Sequence, residues 1–113
     1  MLDSGALFTA GERAHCRSRP DPVASLAGLF SAKEAIVKAI SSMGGAPAHT
    51  FPEMEVVHGP AGQPRVRLHG SIAEWCRERR ISVELSISHT GELAGAVVVL
   101  LAGSAGSGSE RTA

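Results

Sequence analysis

The chain has 113 residues, enough for one domain with a modest core. Its 11 Lys and Arg balance 11 Asp and Glu, which excludes a uniformly basic nucleic-acid binder. With no Tyr and a single Trp, Trp75, it also lacks the aromatic platform that stacks single-stranded bases.

Cys16 and Cys76 form no CxxC and no ordered His/Cys spacing, so zinc is not expected and a reducing, cytoplasmic setting is the simplest reading. The first residues carry no basic and apolar leader, and no apolar run approaches the roughly 20 residues of a membrane span.

Thr9 and Glu12 have the spacing of a capping box, which predicts a short helix running to about Arg17. Arg13, Arg17 and Arg19 make this stretch locally basic. Such a run is either a solvated face or a docking patch, since clustered cations steer acidic partners. A long helix follows over 26–40, with Asp21 as its cap, Pro22 in its first turn and Gly44-Gly45 at its end. At 100° per residue, Leu26, Leu29, Phe30, Ile36, Val37 and Ile40 share one arc, the face expected on the core. Lys33 falls inside that arc, and Glu34 and Lys38 sit just off its edge, one turn apart. Two readings follow: a snorkelling Lys33 beside an ordinary surface pair, or an anion site whose carboxylate can hold a metal.

Residues 53–58 and 65–69 alternate polar and apolar around the turn-forming stretch 59–64, which predicts a hairpin. Gly70 breaks the second strand. Ser71 with Glu74 reads as another capping box, opening a helix to about Arg80 that places Trp75 in the core with Ile72 and Cys76. Residues 83–88 predict a third strand, 89–92 a turn, and 93–101 a strand apolar enough to be buried on both faces. The Gly/Ser-rich tail, 103–113, is expected to be disordered, leaving 1–102 as the domain. No internal repeat is visible. The expected fold class is α+β, with the long helix packed on a mostly antiparallel sheet.

Four stretches carry a family resemblance. Residues 30–39, F-S-A-K-E-A-I-V-K-A, resemble the F-x-x-K-E-A-x-x-K-A signature of the 4′-phosphopantetheinyl transferases, and best the small bacterial holo-acyl-carrier-protein synthases. Leu7-Phe8-Thr9 with Glu12 is similar to the family's L-x-T-x-x-E. Glu55-Val56 with Gly62-Gln63-Pro64 is similar to its I-E-V … G-K-P hairpin. Ser86-Ile87-Ser88-His89-Thr90 is similar to its S-x-S-H-T ending.

The resemblance implies a trimer that binds coenzyme A (CoA) between subunits. It implies transfer of 4′-phosphopantetheine to a serine of an apo acyl carrier protein, releasing adenosine 3′,5′-bisphosphate, in fatty-acid or polyketide biosynthesis. It also implies a need for Mg²⁺, held by Glu34, with Glu34 and Lys38 as the catalytic pair. Lys33, Lys38, Gly62, Pro64 and His89 are implied at the CoA site, with Lys33 either adding charge or holding the site together. Arg13 and Arg17 are expected to dock the acidic carrier. The residue chemistry agrees. Phosphoryl transfer is catalysed mainly by positioning and charge stabilisation, Mg²⁺ takes one or two carboxylates with phosphate oxygens, and a histidine can donate to phosphate near neutral pH.

Some positions depart from the pattern. The family's opening G-x-G-x-D strand, whose Asp is the second metal carboxylate, has no counterpart here, and the sequence begins within the family's first helix. Leu29 stands where the family has Arg, Val37 where it often has Ser, and Gln63 where it has Lys. A lost charge-assisted hydrogen bond costs roughly 1.5–3 kcal/mol. The alternatives to an active transferase are therefore a shortened homologue and a purely structural trimeric α+β domain. The homologue would bind a carrier protein or CoA, or act on a carrier-bound acyl chain, without the transfer.

Overall fold

The computed structural model describes residues 7–90 and 93–102. Its elements in chain order are α1 (Ala10–Arg17), α2 (Pro22–Ser42), a 3₁₀ turn (Phe51–Glu53), β1 (Met54–His58), β2 (Pro64–Leu68), α3 (Gly70–Glu78), β3 (Ile81–Thr90) and β4 (Leu93–Ala102). The expected α+β class is therefore observed, with one refinement. The strands form two separate two-stranded antiparallel sheets, β1–β2 and β3–β4, and α2 lies against both.

α2 starts where its sequence punctuation places it. The Asp21 side chain accepts the Ala24 N–H at 3.1 Å, and Pro22 occupies the first helical position. It ends at Ser42, and Gly44 and Gly45 then take positive φ, the left-handed conformation that glycine adopts without steric cost. Its buried residues include Leu26, Leu29, Lys33, Ile36 and Ile40, a stripe that steps three and four residues at a time. Lys33 is the middle residue of that stripe. The predicted core arc is thus rotated, and Phe30 is corrected to its exposed edge, where it is 37% exposed and leans on Phe51.

The core has two apolar clusters. Phe8, Cys16, Leu26, Leu29, Ala32 and Val56 join α1, the first half of α2 and β1. Ile36, Ile40, Met54, Ile72, Trp75, Cys76 and Ile81 join the second half of α2, β1, α3 and the start of β3. Trp75 is core as expected, with the Arg79 guanidinium 4.7 Å over its ring.

Three further expectations are corrected. The N-cap position of α3 is His69, not Ser71, because His69 is the last extended residue (φ −130, ψ 161) and the helix already begins at Gly70; its side chain makes no capping hydrogen bond. Ser71 therefore lies inside the first turn, where it cannot act as N-cap. β3 runs through His89 and Thr90, which pair with Ala94 and Leu93, so His89 is a strand residue and not part of a turn. β4 is not covered on both faces: Gly95 and Leu101 are exposed, Leu101 at 51%, while Ala96, Val98 and Leu100 are half-buried. α2 covers only one side of a two-stranded sheet. The expected tail, 103–113, lies outside the described residues.

Candidate functional site

Glu12 and Lys33 are the buried charged residues among those described, at 2% and 0% exposure. The Lys33 ammonium donates to both Glu12 carboxylate oxygens at 2.9 Å and to the Met54 carbonyl at 2.7 Å. Glu12 also accepts the Thr9 N–H at 2.9 Å and the Val56 N–H at 2.6 Å. Three ammonium protons and four acceptor positions are thereby all engaged, the condition under which a buried ion pair persists. Burial pushes the Lys33 pKa down, and the Glu12 carboxylate opposes that shift. The snorkelling arrangement expected of Lys33 is corrected, because a carboxylate meets its ammonium inside the core. The Thr9–Glu12 capping box forms as predicted. Its wider role was not foreseen, although Glu12 and Cys16, four residues apart, share the face that α1 buries.

Glu34 and Lys38 are both exposed on α2, one turn apart, and no ion pair joins them among the described residues. Leu29 is 4% exposed and Val37 is half-buried, so both belong to the packing of α2. Arg13 turns back to donate to the Phe8 carbonyl at 2.8 Å, and Arg17 is exposed at the end of α1. The side chain of His89 lies outside the described residues.

Gly62 and Pro64 lie at the turn of the β1–β2 hairpin. Gly62 has φ +85, which only glycine adopts readily, and its N–H donates to the Gly59 carbonyl. This turn walls a cleft of about 570 Å³ that runs between α1 and α2. Leu29, Val56 and Ile87 line it with apolar groups, Arg19 brings a cation, Asp21 and Glu12 bring carboxylates, and His15 and His58 bring imidazole rings. The rings of His15 and His58 stack with centroids 3.9 Å apart. Burial, then His15, then Arg19 push the His58 pKa down. Nothing in the sequence spacing of His15 and His58 pairs them before β1 is laid beside α1.

A second polar network covers the outside of β1. Glu55 accepts from Thr9 Oγ1 at 2.9 Å and lies 2.9 Å from His69 Nε2. Burial alone would raise its pKa, but hydrogen bonds from His69 and Thr9, with the charges of His69 and Arg67, hold it below the ordinary carboxylate range. Among the described residues no three His, Cys, Asp or Glu side chains are grouped to hold a metal ion.

Taken together, these features define an α+β domain with an exposed carboxylate and ammonium one turn apart on its long helix and a partly apolar cleft whose lining carries Arg19, Asp21 and two histidines. The model of the 4′-phosphopantetheinyl transferase superfamily matches residues 4–98. A holo-[acyl-carrier-protein] synthase of Nocardia farcinica is 42% identical over 99 residues, covering 82% of this chain and 67% of that protein. The fatty acid synthase subunit alpha of Schizosaccharomyces pombe is 40% identical over 83 residues, and there the chain spans 4% of the relative's length. Among solved structures, the ACPS–CoA complex of Chronobacterium ammoniagenes superposes with a TM-score of 0.75 at 32% identity, covering 87% of this chain and 80% of that one. The chain belongs to the 4′-phosphopantetheinyl transferase superfamily.

Proposed function

We propose that this protein is a holo-acyl-carrier-protein synthase, transferring 4′-phosphopantetheine from CoA to a serine of an apo acyl carrier protein. In that reaction the serine oxygen attacks the phosphorus bearing the pantetheine arm. A new P–O bond forms, the pyrophosphate bond breaks, adenosine 3′,5′-bisphosphate leaves, and the serine proton passes to solvent or a nearby base. Glu34 would hold Mg²⁺, which when bound neutralises charge on the phosphoryl oxygens. Lys38, one turn along the same helix, faces solvent and is free to meet a phosphate oxygen as a point charge. Gly62 and Pro64 wall the cleft expected to receive part of CoA. The remaining implied contacts are His89 at the CoA site and Arg13 and Arg17 toward the carrier; Lys33, fully buried with all three ammonium protons engaged, would hold the site together and not touch CoA.

The observation that carries this reading is the Glu34–Lys38 pair held exposed on a rigid helix in a chain of this family. A homotrimer is part of the proposal, and the exposed side of β3–β4, including Leu101, supports it. None of the described helices is long and apolar enough to cross a membrane. A cytoplasmic location, without nucleic-acid or membrane partners, completes the reading. Incubation with CoA, Mg²⁺ and an apo carrier protein, followed by mass spectrometry, is expected to show the carrier gaining one phosphopantetheine arm. An unmodified carrier, with an authentic synthase modifying the same sample, would remove the reading.

The second reading is a homologue that binds CoA or a carrier protein without the transfer. It is favoured by Leu29 and Val37, which are packed apolar residues at two positions where the resemblance implies phosphate contacts. Calorimetry with CoA and with holo carrier protein decides it: binding without turnover supports this reading, and turnover excludes it.

A further inference from the structure

The Glu12–Lys33 pair meets β1 in a specific way. Lys33 donates to the Met54 carbonyl, and Glu12 accepts the Val56 N–H. Those two groups belong to alternate residues of one strand, so they lie on the edge of β1 that does not face β2. The ion pair therefore occupies that edge as one donor and one acceptor, as a neighbouring strand would. It does so where the two apolar clusters meet, since Met54 belongs to one and Val56 to the other.

The pair also links the two parts that the proposed reaction needs. Lys33 immediately precedes Glu34 on α2. β1 leads directly into the turn that carries Gly62 and Pro64. Among the described residues, the Lys33–Met54 bond is the hydrogen bond that ties α2 to the β1–β2 hairpin, and the two are otherwise joined by apolar packing. Apolar packing tolerates small slides and rotations of a helix, whereas a saturated set of directed bonds does not. Neither charge has a free donor or acceptor position with which to meet a ligand.

We propose that Glu12 and Lys33 are positioning residues, which fix the rotation and height of α2 against the hairpin and so hold Glu34 and Lys38 at a set distance from the Gly62–Pro64 turn. The inference rests on the transferase reading above. It assigns the buried Lys of the K-E-A stretch to geometry and not to contact with CoA. A shift of about 1 Å at a reacting centre is enough to cost 10²-fold in rate.

The test is the double variant Glu12→Gln with Lys33→Met, compared with the parent. The amide introduced at position 12 keeps an oxygen for the Val56 N–H and carries no charge, while the thioether introduced at position 33 removes the bond from α2 to the Met54 carbonyl. Turnover and the KM for CoA are measured at a temperature where circular dichroism shows both proteins fully folded. The expected result is a kcat at least tenfold below the parent at saturating CoA, not restored by further cooling. A folded double variant with kcat within twofold of the parent would overturn the positioning role while leaving the transferase reading intact. If the double variant does not fold, Glu12→Asp, which keeps the charge but withdraws the carboxylate from Lys33 and the Val56 N–H, is measured in its place, with the same tenfold and twofold limits. A parent without turnover removes the transferase reading and the inference together.

Discussion

Lys33 Nζ lies 2.9 Å from both carboxylate oxygens of Glu12, with neither side chain exposed. A buried pair of this kind is not by itself evidence of high stability, because desolvation of two charges offsets much of their attraction. Removing one partner is a different matter. Lys33→Met leaves the Glu12 carboxylate buried without a counter-charge and is expected to cost about 3–5 kcal/mol. Urea unfolding of the parent, the single variant and the Glu12→Gln/Lys33→Met double variant measures this. The double variant is expected to regain most of the loss, and a single variant as stable as the parent would contradict the arrangement.

The stacked histidines predict an acid-sensitive cleft. The folded state holds the His58 pKa below its ordinary value of 6.5, through burial and the proximity of His15 and Arg19. Below about pH 6.5 the unfolded chain therefore takes up a proton at this position before the folded chain does. Stability falls as pH drops through that window and levels off below the folded pKa. His58→Gln is expected to flatten this part of the curve. Thermal midpoints between pH 8 and pH 5, with the two proteins side by side, are the check.

Cys16 and Cys76 are expected to be inert thiols in the folded protein. Burial pushes up the pKa of each; at Cys16 the Glu12 charge adds to the rise, while at Cys76 Arg79 opposes it. With 3% and 2% exposure, neither offers a reachable thiolate. Native labelling with a thiol reagent is expected to proceed only at the rate of opening, and to be immediate in urea. Rapid native labelling of Cys16 would mean that the cleft side of α1 is open.

The Gly62 turn is expected to tolerate little. Its φ of +85 costs an L-residue roughly 1–2 kcal/mol, so Gly62→Ala is expected to destabilise by about that amount. Nothing lies near the added methyl, so the loss is backbone strain and not a clash. The urea midpoint reads it directly.

Much of this molecule was legible in its sequence, and the exceptions share a cause. Asp21-Pro22, Gly44-Gly45 and the Thr9–Glu12 box are local devices, and each forms where its spacing places it. The Ser71–Glu74 box had the same spacing and did not form. Gly70, with φ +66, lets the helix start two residues early, and that depends on how α3 meets the hairpin. Lys33 was visible as a cation on an apolar arc, and Glu12 as a cap. Their pairing across 21 residues depends on how α1 crosses α2. His15 with His58 and Glu55 with His69 are likewise long-range meetings of ordinary residues. For β4, apolar sequence alone did not reveal that only one face would be covered. The family signature marked the exposed pair Glu34 and Lys38, while the bonds that hold their helix in place emerged only from the fold.

The central claim is tested most directly by mass spectrometry of an apo carrier protein after incubation with CoA, Mg²⁺ and either the parent or Glu34→Gln. Glu34 is exposed, so the substitution is expected to leave the unfolding midpoint unchanged. The predicted result is a carrier that gains one phosphopantetheine arm with the parent and at least a hundredfold more slowly with Glu34→Gln. A carrier modified equally fast by both proteins would contradict the role given to Glu34, and one left unmodified by the parent would contradict the transferase itself.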